Sequence, residues 1–170
     1  LVGELLGAYP ELDGVMFDYI RYPDRDPWYG YSEDNMEGFM KATGRDRVEE
    51  SDPAWKDWRR LEVTKLVRAL VGKARKTRPG IAVSVTGCAP YVRAYEEAFQ
   101  DWPGWLNSGL VDFVTIMSYS PEEDKFKKDI DDARQKARSF KKVNIGIGAY
   151  KLAQAPGVFA RGLEACENSG

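Results

Sequence analysis

The sequence predicts an α/β fold built on a parallel sheet, and three observations predict it. Four short runs, Gly14–Asp18, Ile81–Thr86, Phe113–Met117 and Val143–Ile147, are β-branched or aromatic and are bounded by Gly, Pro or polar residues. Helical patterns lie between them, and strands that alternate with helices form parallel sheets. The first run is apolar almost to its end, as expected of a strand covered on both faces, and then closes on a carboxylate, Asp18. Four such βα units make half of an eight-stranded (β/α) barrel, whose usual length is about 250 residues.

Each element has its own signal. Leu1-Val2-Gly3-Glu4-Leu5-Leu6 reads as the tail of an amphipathic helix; it carries an acid and lacks the basic start of a signal peptide. The turn Asp13-Gly14 opens the first strand. The excursion 24–50 is rich in charge, Gly, Trp and Tyr, exceeds the roughly 2–6 residues of an ordinary βα connection, and is read as a long loop. Asp52 is a good N-cap with Pro53 at the first helical position. From there Val63, Leu66, Val67, Leu70, Val71 and Ala74 mark one helix face, Arg59, Arg60, Lys65, Arg68 and Lys73 the other, and Pro79-Gly80 ends the helix. The stretch from Pro90 to Leu110 holds Tyr91, Tyr95, Trp102, Trp105 and a short helix leading to Gly109. Ser120-Pro121-Glu122-Glu123 reads as a capping box with proline at the first helical position, followed by the stripe Phe126, Ile130, Ala133, Ala137 and Phe140. A last helix runs from about Pro156 to Glu167.

Composition narrows the function. A chain of 170 residues suits one domain, 1–170, and a net charge of −2 gives no basic footprint for nucleic acid. No stretch approaches the roughly 18 consecutive apolar residues of a membrane span. With no histidine, Ser-His-Asp and Cys-His triads and His-bearing zinc sites are excluded within the chain. Cys88 and Cys166 lie far apart without CxxC spacing and read as small apolar residues. Nothing in the sequence calls for a cofactor or metal. Gly146-Ile147-Gly148 lacks the third glycine and downstream acid of a dinucleotide fingerprint, so its glycines are expected to admit close packing at a strand exit. The lysine runs 125–128 and 136–142 read as solvated helix faces.

Several stretches together resemble one family. Residues 13–23 (DGVMFDYIRYP), 39–44 (FMKATG), 55–60 (WKDWRR), 100–106 (QDWPGWL), 112–119 (DFVTIMSY) and 143–150 (VNIGIGAY) are similar, in order, to signatures of the glycosyl-hydrolase-like 10 family. The resemblance implies a TIM barrel, an extracytoplasmic bacterial setting and glycan hydrolysis, with cell-wall glycan strands as a substrate of some members. Against that family the chain corresponds to the fourth to seventh βα units, entered at the end of the third helix, and the first three strands and the eighth are expected from the rest of the protein. A weaker similarity is to the family 18 chitinases, whose fourth strand reads DGxDxDxE. Asp13, Gly14 and Asp18 match it, Met16 and Ile20 depart from it, and residues 113–119 are similar to the sixth strand of those enzymes. With Ile20 at the acid-catalyst position, this likeness implies shared architecture rather than a chitinase mechanism.

Glycoside hydrolysis uses two carboxyl groups across the scissile bond. Strand C-termini carry the chemistry of barrel enzymes, so Asp18 is the first candidate, as nucleophile, acid/base or transition-state stabiliser; the alternative is a carboxylate that caps a loop or pairs with Arg21. Asp101 is the leading second carboxylate, ahead of Asp24 and Glu97, with a residue on the further strands as the alternative. Asp112 precedes its strand and is read as structural. Arg21 offers a planar fork of donors to a carboxylate or sugar hydroxyl. Tyr19 and Tyr22 flank it and cannot both point inward if the strand continues. Trp102, Trp105, Tyr119 and Tyr150 fall at or after strand ends, where aromatic faces suit either a sugar ring or rim packing. Trp55 and Trp58 are expected in the core, and Trp28, Tyr29 and Tyr31 in a lid or subsite. The expectation is a glycoside hydrolase-type domain acting on a polysaccharide or oligosaccharide and inactive as this fragment alone. Two alternatives stand beside it: a non-catalytic carbohydrate-binding barrel, and a phosphate-handling barrel enzyme hinted at by Gly146, Gly148 and Tyr150-Lys151.

Overall fold

A computed structural model describes the chain except for residues 24–27, 152–155 and 168–170. The order is α1 (Val2–Ala8), β1 (Gly14–Phe17), α2 (Glu33–Thr43), α3 (Pro53–Thr77), β2 (Ala82–Cys88), α4 (Tyr91–Glu96), α5 (Trp102–Asn107), β3 (Phe113–Ser118), α6 (Glu123–Lys136), β4 (Val143–Ile147) and α7 (Pro156–Glu167), with 3₁₀ turns at Phe140–Lys142 and Ala149–Lys151. The strands form one parallel sheet in the order β1-β2-β3-β4. Every strand pairs with its neighbour in sequence, the arrangement of a partial TIM barrel.

The register brings all four strand exits to one end of the sheet. Phe17 lies opposite Val85, Cys88 opposite Met117, and Ser118 opposite Ile147. Strand β2 outruns its predicted end at Thr86 because Gly87 and Cys88 still pair with Ile116 and Met117. Alternation sends Val83, Val85, Val114 and Ile116 into the helix-covered core, where they join Val63, Val67 and Val71 of α3 and Trp102, Trp105 and Leu106 of α5. On the other side of β1 Met16 is 49% exposed.

The helices follow their caps. The Asp52 carboxylate accepts the Ala54 N–H at 2.9 Å, and α3 starts at Pro53 as predicted. Its buried stripe is narrower than expected: Val63, Val67, Val71 and Ala74 are buried, whereas Leu66 is exposed. The start of α6 corrects the predicted capping box. Ser120 accepts the Glu122 N–H in a local turn, Glu122 is the cap, and the helix begins at Glu123, so Pro121 stands outside it.

The excursion is not bare loop. Residues 33–43 form α2, which stops where Gly44 takes a left-handed φ of 71° and its N–H bonds Met40 O. Phe39 packs edge-on to Trp55 at 5.1 Å and near Trp58 at 6.1 Å, while Trp58 Nε1 donates to Asn35. Arg59 of α3 is buried against Phe99 (3.8 Å), Trp55 and Tyr31. This aromatic shell fastens the excursion to the barrel wall.

Candidate functional site

At the C-terminal end of the sheet the chain leaves β1 through Asp18 and turns at once. Tyr19 has φ 59°, so the extended conformation stops there. The Tyr19 N–H donates to Asp18 Oδ1 at 2.7 Å, and the Thr86 hydroxyl of β2 donates to the same oxygen at 2.6 Å. Among the described residues, no hydrogen-bond donor meets Oδ2.

Arg21 then crosses toward the end of β2. Its Nη1 donates to the Cys88 thiol, its guanidinium lies 4.4 Å from the centre of the Tyr19 ring, and its buried Nε has no acceptor among the described residues. Burial pushes the Cys88 thiol up, and the Arg21 charge partly offsets that. Cys88 is therefore buried, as expected, and also serves as a polar contact.

Gln100 ties these segments together. Fully buried, it accepts the Cys88 N–H at 2.9 Å and donates to Thr86 O at 2.9 Å and Ile20 O at 3.2 Å. It thereby fixes the loop that carries Asp18 and Arg21 against the exit of β2. Sequence reasoning missed this role. The available signal was its place at the head of the stretch 100–106, since an isolated Gln has no periodicity to betray burial.

Beside Arg21 lies a cleft of about 360 Å³. It is lined by Arg21, Cys88 and Ala89, by Arg93 of α4, by Met117, Tyr119 and Ser120 at the exit of β3, by Pro121, Glu122, Lys125 and Asp129 leading into α6, and by Lys151 after β4. Tyr119 and Tyr150 stand at the rim, edge to face at 6.3 Å. Gly148 makes room for Tyr119: a Cβ there would lie 3.0 Å from Tyr119 Cβ and 3.1 Å from its Cα. Asp129 is only 6% exposed and accepts the Ser118 hydroxyl at 2.8 Å. Burial holds its carboxyl above the usual aspartate range, against the opposing pull of the Ser118 bond.

Other candidates fall elsewhere. Asp101 is the N-cap of α5: its Oδ1 accepts the Gly104 N–H at 3.1 Å and the Tyr91 hydroxyl at 2.9 Å. That gives the expected second carboxylate a structural task. Trp102 and Trp105, expected as sugar platforms, are 1% and 2% exposed. Their rings pack under the sheet, and Trp105 Nε1 donates to Thr64, so in this structure neither presents a face to the cleft. Tyr22 turns from the cleft to pack edge-on to Phe99 at 5.6 Å, while Tyr19 is 56% exposed; both border a second, more apolar hollow with Ile20 and Leu66. Trp28 and Tyr29 are exposed, and Tyr31 packs on Trp55. Glu97 ends α4 on the surface, and Asp24 lies outside the described residues. Asp112 sits at the opposite end of the sheet, bound to the Val83 N–H at 2.7 Å and to Arg75, as a structural residue would be.

Among the described residues no group of acidic and Cys side chains could hold a metal ion. No helix there is long and apolar enough to cross a membrane.

Residues 1–157 match the model of the family described as glycosyl hydrolase-like 10. The chain belongs to that family. It is also similar to curated proteins named glycosyl hydrolase DigH from Escherichia coli K12, Escherichia coli O157:H7 and Shigella flexneri. Identity is 24% over 174 residues in each case, covering 91% of this chain. The chain spans 37% of the length of these relatives.

Proposed function

We propose that this member of the glycosyl hydrolase-like 10 family is the part of a glycoside hydrolase barrel that carries one catalytic carboxylate, Asp18, and a sugar-binding cleft beside Arg21 on the same strand-exit loop. One observation supports the reading most: Asp18 emerges, exposed, at the strand-exit end of a parallel sheet with one oxygen held by the Tyr19 N–H and the Thr86 hydroxyl and the other meeting no donor among the described residues. The substrate is a polysaccharide, with bacterial cell-wall glycan as the favoured class, and the setting is outside the cytoplasm; the family description and the relatives' name support glycan cleavage, while the cell-wall substrate and the compartment rest on the motif resemblance alone. Tyr119 and Tyr150 offer ring faces to a pyranose, and Arg21 offers donors to its substituents.

Cleavage of a glycosidic C–O bond needs a second carboxyl group. Asp101 is committed to Tyr91 and α5, so the partner comes from βα units beyond this chain or from Asp129, the acid that lines the cleft and is held toward its protonated form. The commitment of Asp101 also favours one rival, a carbohydrate-binding barrel without catalysis. The full-length protein and its Asp18→Asn variant separate the two. The hydrolase reading expects release of reducing ends by the wild type, a loss of about 10²–10⁴-fold in the variant, and retained oligosaccharide binding. Binding without turnover in the wild type would establish the rival.

A further inference from the structure

Resting on that reading, we propose that the cleft selects a saccharide bearing a carboxylate. Four cationic side chains line it, and they come from four separate segments: Arg21 from the exit of β1, Arg93 from α4, Lys125 from α6 and Lys151 from the turn after β4. The chain as a whole is slightly acidic, at −2, so this convergence is not a sample of a basic surface. Two acids share the lining. Asp129 is bound to Ser118, and burial raises its carboxyl against the pull of the Ser118 bond and of the Lys125 and Arg93 charges; Glu122 is exposed.

Among the described residues Arg21 and Lys151 make no salt bridge with a carboxylate, and Lys125 makes none at contact distance, although its charge acts on the buried Asp129 of the same cleft. Arg21 spends Nη1 on a thiol and its face on Tyr19, and its Nε is buried. Lys151 Nζ lies 5.7 Å from the centre of the Tyr150 ring. Hydrogen bonds from an arginine or lysine cation to a carboxylate are charge-assisted and stronger than those to a neutral hydroxyl. With Tyr119 and Tyr150 at the rim, the site joins ring faces for the apolar side of a sugar to cations for an acidic substituent.

The test uses the full-length protein and two probes, a uronate-containing oligosaccharide and the same oligosaccharide after reduction of its carboxylates to alcohols. Titration calorimetry at low salt should show the acidic form binding at least about tenfold tighter, with the advantage shrinking as salt rises. Lys125→Gln and Lys151→Gln should each lower that ratio several-fold. Equal affinities, a ratio unchanged in the double variant, or displacement by acetate at the concentration of the oligosaccharide would overturn the acid selectivity and leave the hydrolase reading standing. Failure to bind either probe would overturn the acid selectivity, while the hydrolase reading stands or falls on the release of reducing ends by the wild type and its Asp18→Asn variant.

Discussion

Replacing Gln100 with Leu keeps the bulk of a buried side chain while removing three hydrogen bonds, to the Cys88 N–H, Thr86 O and Ile20 O. Each neutral bond contributes about 1 kcal/mol net, which sets a loss of about 3 kcal/mol. Leaving the Cys88 N–H buried without an acceptor takes the figure toward about 4 kcal/mol. A urea slope of about 2–3 kcal/mol/M then lowers the unfolding midpoint by about 1–2 M. The assay is equilibrium urea unfolding of the full-length protein and the variant, followed by tryptophan fluorescence, for which buried Trp102 and Trp105 are good reporters. Activity should fall together with stability, because the same bonds set the path of the loop bearing Asp18. A loss under about 0.5 kcal/mol, the range of ordinary surface changes, would refute the assignment of Gln100 as the tie between the two strand exits.

Three further expectations follow from single contacts. Thr86→Val deletes the donor to Asp18 with little change of shape and should lower kcat by about ten- to a hundredfold with KM little altered, while Thr86→Ser restores most of it; equal loss in both variants would assign Thr86 to packing alone. Asp129 has a folded-state proton affinity above its unfolded value, so its contribution to stability is present at low pH and is lost as pH rises through the raised pKa. Asp129→Asn should therefore be more stable than the wild type at pH 7, with the gap closing toward pH 3.5; denaturation midpoints across that range check it, and a constant gap would count against it. Gly148→Ala sets a methyl group against Tyr119 and should cost about 1–3 kcal/mol in unfolding free energy and raise KM, whereas an unchanged variant would show that the two loops part freely.

The elements that the sequence made legible are those with a repeated pattern or a cap. The four strands are short β-branched runs between turn residues, and α3 carries both Asp52-Pro53 and a four-residue apolar repeat. Where a local signal has two physical meanings, the reading went astray. Ser120 with Glu123 fits a capping box, yet the serine instead closes a turn on Glu122. Trp102 and Trp105 follow a strand exit, which suits a cleft, but three-residue spacing on the short helix α5 turns both to the sheet. Lys125 belongs to a run that looks wholly solvated, and only the path of α6 puts it at the cleft while Lys127 pairs with Glu123. The place of Asp18 at the strand exit was legible because a carboxylate that closes an apolar run marks where the covered strand ends. Gln100 was not, because its burial depends on two chain segments far from it in sequence.

The sequential strand order has a kinetic side. The connections 89–112 and 119–142 are similar in length, whereas 18–81, which joins β1 to β2, is more than twice as long. For a flexible chain that difference adds only somewhat under 1 kcal/mol to the entropy of closing the longer loop. It nevertheless ranks the ribbon of β2, β3 and β4 to assemble first and β1 to dock last. Asp18 rides on the late arrival, while Thr86 and Gln100, which hold its loop, belong to the part that forms early, so their hydroxyl and amide stand in place before the strand end they fasten.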